Sequence, residues 1–211
     1  MSIFQITIGQ CFYFSLGIGI AVSTRVANAL GANNAAGAQL AAKTAIGYGI
    51  SMVSTLSLLI YFCRNLIWQI YTDDEQLGAI MAKLFFILSF YIVGDGMCVI
   101  FGSILRGCAL QVMAAKVVVF SYYVVGLPVG IILGFYTDMQ VYGLAWGVTI
   151  GTWVHASLYG MLVAQIDWRE QAQLAVSRSR SRGTDGADDD AALGGNEKER
   201  ISLLSAPRED E

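Results

Sequence analysis

Between Lys83 and Arg106 the chain reads LFFILSFYIVGDGMCVIFGSIL, apolar throughout but for one acid, Asp95. A run of this length and character needs hydrocarbon or a very deep core to bury it. Similar runs recur along the chain and decide for hydrocarbon. Residues 2–24 precede Arg25, 44–63 lie between Lys43 and Arg64, 117–137 between Lys116 and Asp138, and 139–166 between Asp138 and Asp167. Charged residues make up 14% of the sequence, against about 25% in soluble domains. None of the runs alternates polar with apolar, and lipid admits only helices or closed barrels. The expected fold is therefore all-α and polytopic, with about five transmembrane helices at roughly 3–25, 43–64, 82–106, 115–137 and 141–166.

Charge is segregated. Residues 1–167 hold few ionisable groups, whereas 168–211 are dense in them. The joins after the first and third runs and the start of the tail carry Arg25, Lys43, Arg106, Lys116, Arg169, Arg178, Arg180 and Arg182. The opposite joins carry Arg64 and Lys83 with Asp73, Asp74, Glu75 and Asp138. The positive-inside rule then puts the tail in the cytoplasm and the N-terminus outside. An outside N-terminus without a signal peptide suits a piece of a longer protein. The tail from 169 to 211 is expected to be disordered, since its composition buries too little apolar surface to offset ordering entropy. Arg178, Arg180 and Arg182 alternate with Ser177, Ser179 and Ser181, a pattern able to touch anionic lipid. Further on, Glu199, Leu203 and Leu204 have the spacing of an acidic dileucine sorting signal.

Asp95 is the costliest residue to place. The eleven residues from it to Arg106 span about 16 Å of helix. With Arg106 at one membrane surface, the acid lies near the midplane, where an ionisable side chain reads as functional. His155, twelve residues before Asp167, lies at nearly the same depth. A buried histidine that hydrogen-bonds a neighbour is the plainer reading of it, a ligand for cargo the sharper one. Gly126, Gly130 and Gly134 on the fourth run, and Gly143, Gly147 and Gly151 on the fifth, recur every four residues. Small residues so spaced let two helix backbones approach, so these runs are expected to pack as antiparallel neighbours. Pro128 is expected to distort the fourth. Cys11, Cys63, Cys98 and Cys108 fit no metal or redox spacing and read as buried thiols.

Residues 17–34, GIGIAVSTRVANALGANN, resemble the multidrug and toxic compound extrusion (MATE) transporters. Their eighth helix typically ends in A-x-S-x-R-V-x-N-x-L-G-A-x-N, matched here by Ala21, Ser23, Arg25, Val26, Asn28, Leu30, Gly31, Ala32 and Asn34. The family's L-R-G-x-x-x-Q is matched by Leu105, Arg106, Gly107 and Gln111, and its Y-Y-x-x-G-L-P-x-G by Tyr122, Tyr123, Gly126, Leu127, Pro128 and Gly130. Gly143, Leu144 and Gly147 come next, and Asp167 with Trp168 closes the series. The resemblance implies helices 8–12 of a eukaryotic-type twelve-helix transporter, a C-lobe whose N-terminal partner lobe is missing from the chain. It implies too that Asp95 takes the place of the tenth-helix acid linked to cation binding. Ile6 stands where relatives can have a glutamate and Val118 where they have an asparagine, while Lys116 is an added charge.

These readings lead to a multi-pass antiporter, in the plasma membrane or an endosomal or vacuolar membrane. It would export organic cations or xenobiotics in exchange for H+ or Na+, with no other cofactor and no metal. Asp95 would bind the proton or the cargo, helped by His155, Tyr122 and Tyr123. Tyr91 and Trp153 are further aromatic surface for a cation. The competing reading is a non-transporting membrane fragment or adaptor that keeps only fold and tail signals. An intramembrane enzyme is disfavoured because no H-E-x-x-H or G-x-S-x-G is present, and nothing beyond the short Arg-Ser run suggests nucleic acid. The orientation is directly testable. A cysteine placed at Asn196 should react with membrane-impermeant reagents only from the cytoplasmic side, and labelling on intact cells would overturn the topology.

Overall fold

The computed structural model describes residues 2–71, 75–137 and 139–181, and every regular element among them is a helix. Three long helices come first: α1 Ser2–Gly31, α2 Ala35–Tyr71 and α3 Glu75–Gly107. The fourth crossing is composite. It consists of α4 Gln111–Val119, a π-helical segment Phe120–Gly126 and α5 Leu127–Phe135. Helix α6 spans Gln140–Ala164, and a last helix, α7, covers residues 168–181.

Among the described residues four stretches are long and apolar enough to cross a membrane: Ile6–Gly31, Ala35–Ile67, Ile80–Gly107 and Gln111–Phe135. The fifth expected span is α6. At 25 residues it has the length, but Thr149, Thr152 and His155 on its buried side lower its apolarity. The helices also overrun the charge-bounded ranges read from sequence. Arg25 lies within α1, and Lys43 and Arg64 lie within α2. A flanking charge marks the membrane surface, but nothing obliges the helix to stop there.

Two sharp turns share one design. At the end of α1 the Asn34 N–H reaches Ala29 O at 2.8 Å, the Asn33 N–H reaches Leu30 O at 3.0 Å, and Asn33 is left-handed at φ 56°. This is a Schellman ending. The Asn34 side chain then accepts from the Gly37 N–H at 2.8 Å, capping α2. The end of α3 repeats the ending, with Leu110 N–H to Leu105 O at 2.9 Å and Ala109 at φ 59°. Two of the motifs that carry the family resemblance, one ending at Asn34 and one spanning Leu105–Gln111, are thus largely turn chemistry. Gly107 adds a packing role, because a Cβ there would meet Ser23 O and Val26 of α1.

Helix α3 is the hub, packing against α1, α2 and α6. Its Phe85, Leu88, Ile100, Ile104 and Leu105 are fully buried. Large apolar side chains on the outer faces, such as Phe62, Phe135 and Leu58, are exposed, as a lipid-facing surface requires. Cys11, Cys98 and Cys108 are buried free thiols, whereas Cys63 is only half-buried.

The glycine ridges meet face to face. A Cβ on Gly151 would touch Gly126 Cα at 2.9 Å, one on Gly147 would run into Gly130, and one on Gly143 into Leu133 and Gly134. The partners step in opposite directions, as antiparallel helices demand. The distortion expected at Pro128 takes the form of the π-helical turn just before it. There the Leu127 N–H bonds Tyr122 O, five residues back, and the wider turn relieves the clash a proline ring makes with the preceding turn.

The disorder expected from residue 169 onward is corrected for the first part of the tail. Asp167 Oδ1 accepts from the N–H groups of Arg169 at 2.9 Å and Glu170 at 3.2 Å, starting α7 with an N-cap. Ala172 is fully buried, and Trp168 and Ala175 pack on the same core. Those three positions recur at helical spacing, a signal drowned when the tail is averaged as one segment. Arg178 and Arg180 lie on α7, while Arg182 and the Glu199, Leu203, Leu204 motif lie outside the described residues.

The glycine contact makes a stability prediction. Gly147→Ala should cost about 1–3 kcal/mol of unfolding stability through overpacking. Gly47→Ala, where a Cβ meets nothing within 4 Å, should be neutral or slightly stabilising. Thermal unfolding of the detergent-purified protein checks this, and equal tolerance at both sites would dissolve the proposed helix contact.

Candidate functional site

Asp95, Cys98, Gly102 and Arg106 lie on one face of α3, because steps of three and four residues return to the same side of a helix. That face lines a cavity of about 330 Å³. The π-helical segment contributes Tyr122, α6 contributes His155 and Tyr159, and Gln111 with Arg106 lies toward the turn between α3 and α4. Asp95, His155 and Tyr122, nominated from sequence for their depth or aromaticity, are therefore brought together. Arg106 and Gln111 join them, although sequence reading gave them only as motif residues.

The others are elsewhere. Tyr123 is 69% exposed and lines an outer groove with Gly126, Leu127 and Leu144, which Tyr122 also borders. It is one residue from Tyr122, which turns it about 100° around the helix. Trp153 is 42% exposed, and its indole N–H bonds Phe90 O at 3.2 Å, clasping α6 to α3. Arg25, Asn28 and Gly31 sit on the exposed side of the last turns of α1, and Pro128 is exposed on α5.

Within the cavity the aromatic groups are held in place. Tyr122 Oη is 3.2 Å from Thr152 Oγ1, which itself bonds Val148 O at 3.0 Å. The Tyr159 hydroxyl donates to Ala114 O at 3.1 Å. The Cys98 thiol lies 3.5 Å from Thr152 O, completing a tie between α3 and α6. His155 stands between two tyrosine rings, 5.5 Å from Tyr122 and 4.1 Å from Tyr159, both edge-on.

Asp95 is half-buried and accepts a hydrogen bond from Tyr91 Oη at 3.2 Å, one helical turn earlier. Among the described residues no cation pairs with it. Tyr91, read from sequence as cation–π surface, is thus the partner of the acid. The i, i+4 spacing of Tyr91 and Asp95 was the available signal. The plainer reading of His155 is corrected as well. It is 7% exposed, yet neither ring nitrogen has a hydrogen-bond partner among the described residues. Its immediate neighbours are aromatic faces, and both tyrosine hydroxyls are engaged elsewhere.

A carboxylate with one neutral donor, in a cavity shared with tyrosine and histidine rings, can offer counter-charge and negative ring faces to a cation. The fold and the site together define a multi-pass membrane protein with an acid-bearing, aromatic-lined cavity. The chain belongs to the MATE family, a class of transporters and not of enzymes. The MatE family model matches residues 1–132, more than half of the 211. Protein DETOXIFICATION 1 of Arabidopsis thaliana is 34% identical over 79% of this chain and 35% of its own length. Multidrug and toxin extrusion protein 2 of Homo sapiens is 29% identical over 92% of the chain and 32% of its own length. The chain spans about a third of the length of these curated relatives. A crystal structure of the eukaryotic MATE transporter AtDTX14 superposes with a TM-score of 0.81 at 29% identity, covering 84% of this chain and 40% of that one.

His155 yields a prediction that separates folding from function. A buried polar group without a partner costs about 1–3 kcal/mol, so an apolar ring of similar shape should restore some of that. His155→Phe should match or exceed the wild type in thermal stability. A loss above about 1 kcal/mol would mean that the imidazole nitrogens hold the fold together.

Proposed function

We propose that the chain works as the C-lobe of an antiporter that exports organic cations or xenobiotics in exchange for H+ or Na+. The observation that carries this reading is Asp95, half-buried in an aromatic-lined cavity and without a cationic partner among the described residues. A proton or a sodium ion on the carboxylate cancels the charge that holds the cargo. Cargo and coupling ion therefore exclude one another, and each lowers the affinity for the other by the same factor. Opening of the cavity alternately to the two sides, against an N-terminal lobe, turns that exclusion into exchange. The family membership supports transport, and the names of the relatives support toxic compounds as cargo. The tail is on the cytoplasmic side in this reading, in a plasma, endosomal or vacuolar membrane, with Glu199, Leu203 and Leu204 as its sorting address.

The test is uptake of a fluorescent organic cation by vesicles carrying equal amounts of each variant of the transporter, with and without an imposed pH or sodium gradient. Asp95→Asn keeps the volume but holds no charge and exchanges no proton, so gradient-driven transport should fall to background while the fold is kept. Asp95→Glu should retain part of the activity. His155→Gln should be milder than Asp95→Asn, because it alters the wall of the cavity and leaves the counter-charge. Gradient-driven transport by Asp95→Asn at the wild-type rate would sink the mechanism.

A further inference from the structure

A second cavity lies at the other end of the bundle, where α2 leaves the membrane and α3 and α6 enter it. It measures about 550 Å³ and is lined by Arg64 and Asn65 of α2, Lys83 and Phe86 of α3, and Tyr142 and Trp146 of α6. Two cations on neighbouring helices face it, and among the described residues no carboxylate lines it. Each cation rests on an aromatic ring. The Arg64 guanidinium carbon is 4.8 Å from the Tyr61 centroid, and the Lys83 Nζ is 5.8 Å from that of Tyr142. Among the described residues neither is in an ion pair. The site attracts the wrong sign of charge for the cargo of the Asp95 cavity, so it is a separate feature.

The adjoining surface narrows the ligand. A ladder of rings starts at the cavity wall and extends along the bundle surface to Phe90. Tyr61 and Phe86 are 6.0 Å apart, Phe86 and Phe90 5.2 Å, and Phe90 and Trp146 6.1 Å. Tyr61, Phe86 and Phe90 are exposed. Phe90 lies seven residues beyond Lys83, about 10 Å deeper into the apolar part of α3. A pair of cations at the membrane surface, continuous with an exposed aromatic strip that descends toward the core, matches one kind of molecule. We propose that this cavity holds a phospholipid, its phosphodiester on Arg64 and Lys83 and an acyl chain along the Phe86, Phe90 and Trp146 strip. A phosphodiester is present in phospholipids of either leaflet, and guanidinium and ammonium groups bind its oxygens through charge-assisted hydrogen bonds. Here Asn65 adds a neutral donor, and the open strip gives the chain an apolar bed.

Native mass spectrometry of the detergent-purified protein, titrated with dioleoyl phosphatidylglycerol, reads the occupancy directly. The wild type should carry a bound lipid that the Arg64→Gln, Lys83→Gln double variant binds roughly tenfold more weakly. Arg178→Gln in α7 should leave this adduct unchanged. Arg64→Lys should recover part of the binding, which a merely structural role for the guanidinium would not predict. Trp146→Leu should weaken the dioleoyl lipid while leaving a short-chain dihexanoyl analogue unaffected. If the double variant is not recovered folded, Lys83→Gln alone and Trp146→Leu carry the test. Equal adducts in wild type and variants would overturn the proposal. Displacement of the lipid by millimolar inorganic phosphate, or equal affinity for the two chain lengths, would also overturn it and reassign the cavity to a free anion.

Discussion

Lipid tails are as apolar as leucine, so helices in a bilayer gain little from burying apolar surface against one another. They adhere through close packing and polar contacts. That constraint explains where this chain puts its glycines. Gly126, Gly130, Gly143, Gly147 and Gly151 make a seam between α5 with its π-helical turn and α6 in which backbone touches backbone. The hub helix obeys the same logic. Gly96 sits where a Cβ would collide with Val53 of α2, Gly49 where it would collide with Ile100, and Gly94 within 3.2 Å of Thr152. Each approach brings whole turns into van der Waals range, the chief source of adhesion left once the solvent is oil.

Close packing also brings polar groups together that water would otherwise keep apart. Thr152 is the junction. Its hydroxyl meets Tyr122, its carbonyl oxygen accepts from the Cys98 thiol, and it is fully buried beside Gly94. The π-helical turn sets the position of Tyr122. One extra residue in the turn rotates the helix before Pro128 relative to the helix after it. Tyr122 thereby faces the cavity while Gly126 and Gly130 still face α6. A regular α-helix over the same residues would offset these two faces differently. The proline and the glycine ridge on one helix therefore serve the site and the seam together.

Much of this was legible in the sequence, for identifiable reasons. Charge-free runs mark spans because an ion in hydrocarbon is expensive. The expected depth of Asp95 came from counting to Arg106; the same eleven residues are close to three full turns, a shared face that the count held and the sequence reading did not use. Glycines at four-residue intervals announced the seam. The features that were not legible depend on rotation, on averaging or on partners. Tyr122 and Tyr123 are indistinguishable by composition, and only the phase of the helix separates cavity from lipid. Helix α7 was hidden because Trp168, Ala172 and Ala175 were averaged with an acidic, glycine-rich tail. A hydrogen bond to His155 was a fair default for a buried imidazole, but it needs a neighbour with a free donor or acceptor. The tyrosines around His155 had spent theirs.

The acid and the histidine therefore differ in kind, although they share a depth. Asp95 has a donor from its own helix, since Tyr91 lies one turn earlier and moves rigidly with it. Any rearrangement of α3 against α6 leaves that bond intact. His155 belongs to the other wall, held by edge-on contacts with Tyr122 and Tyr159 and by no hydrogen bond among the described residues. Contacts of that sort are weak, about 0.5–1.5 kcal/mol each beyond their buried area, and tolerate sliding. The cavity thus pairs a wall whose acid keeps its own hydrogen-bond donor with a wall held only by weaker ring contacts. A charge anchored within one helix can change its occupant without first breaking a bond between helices. In the proposed exchange, that arrangement would let the occupant, and not an internal ion pair, decide how the two walls sit against each other.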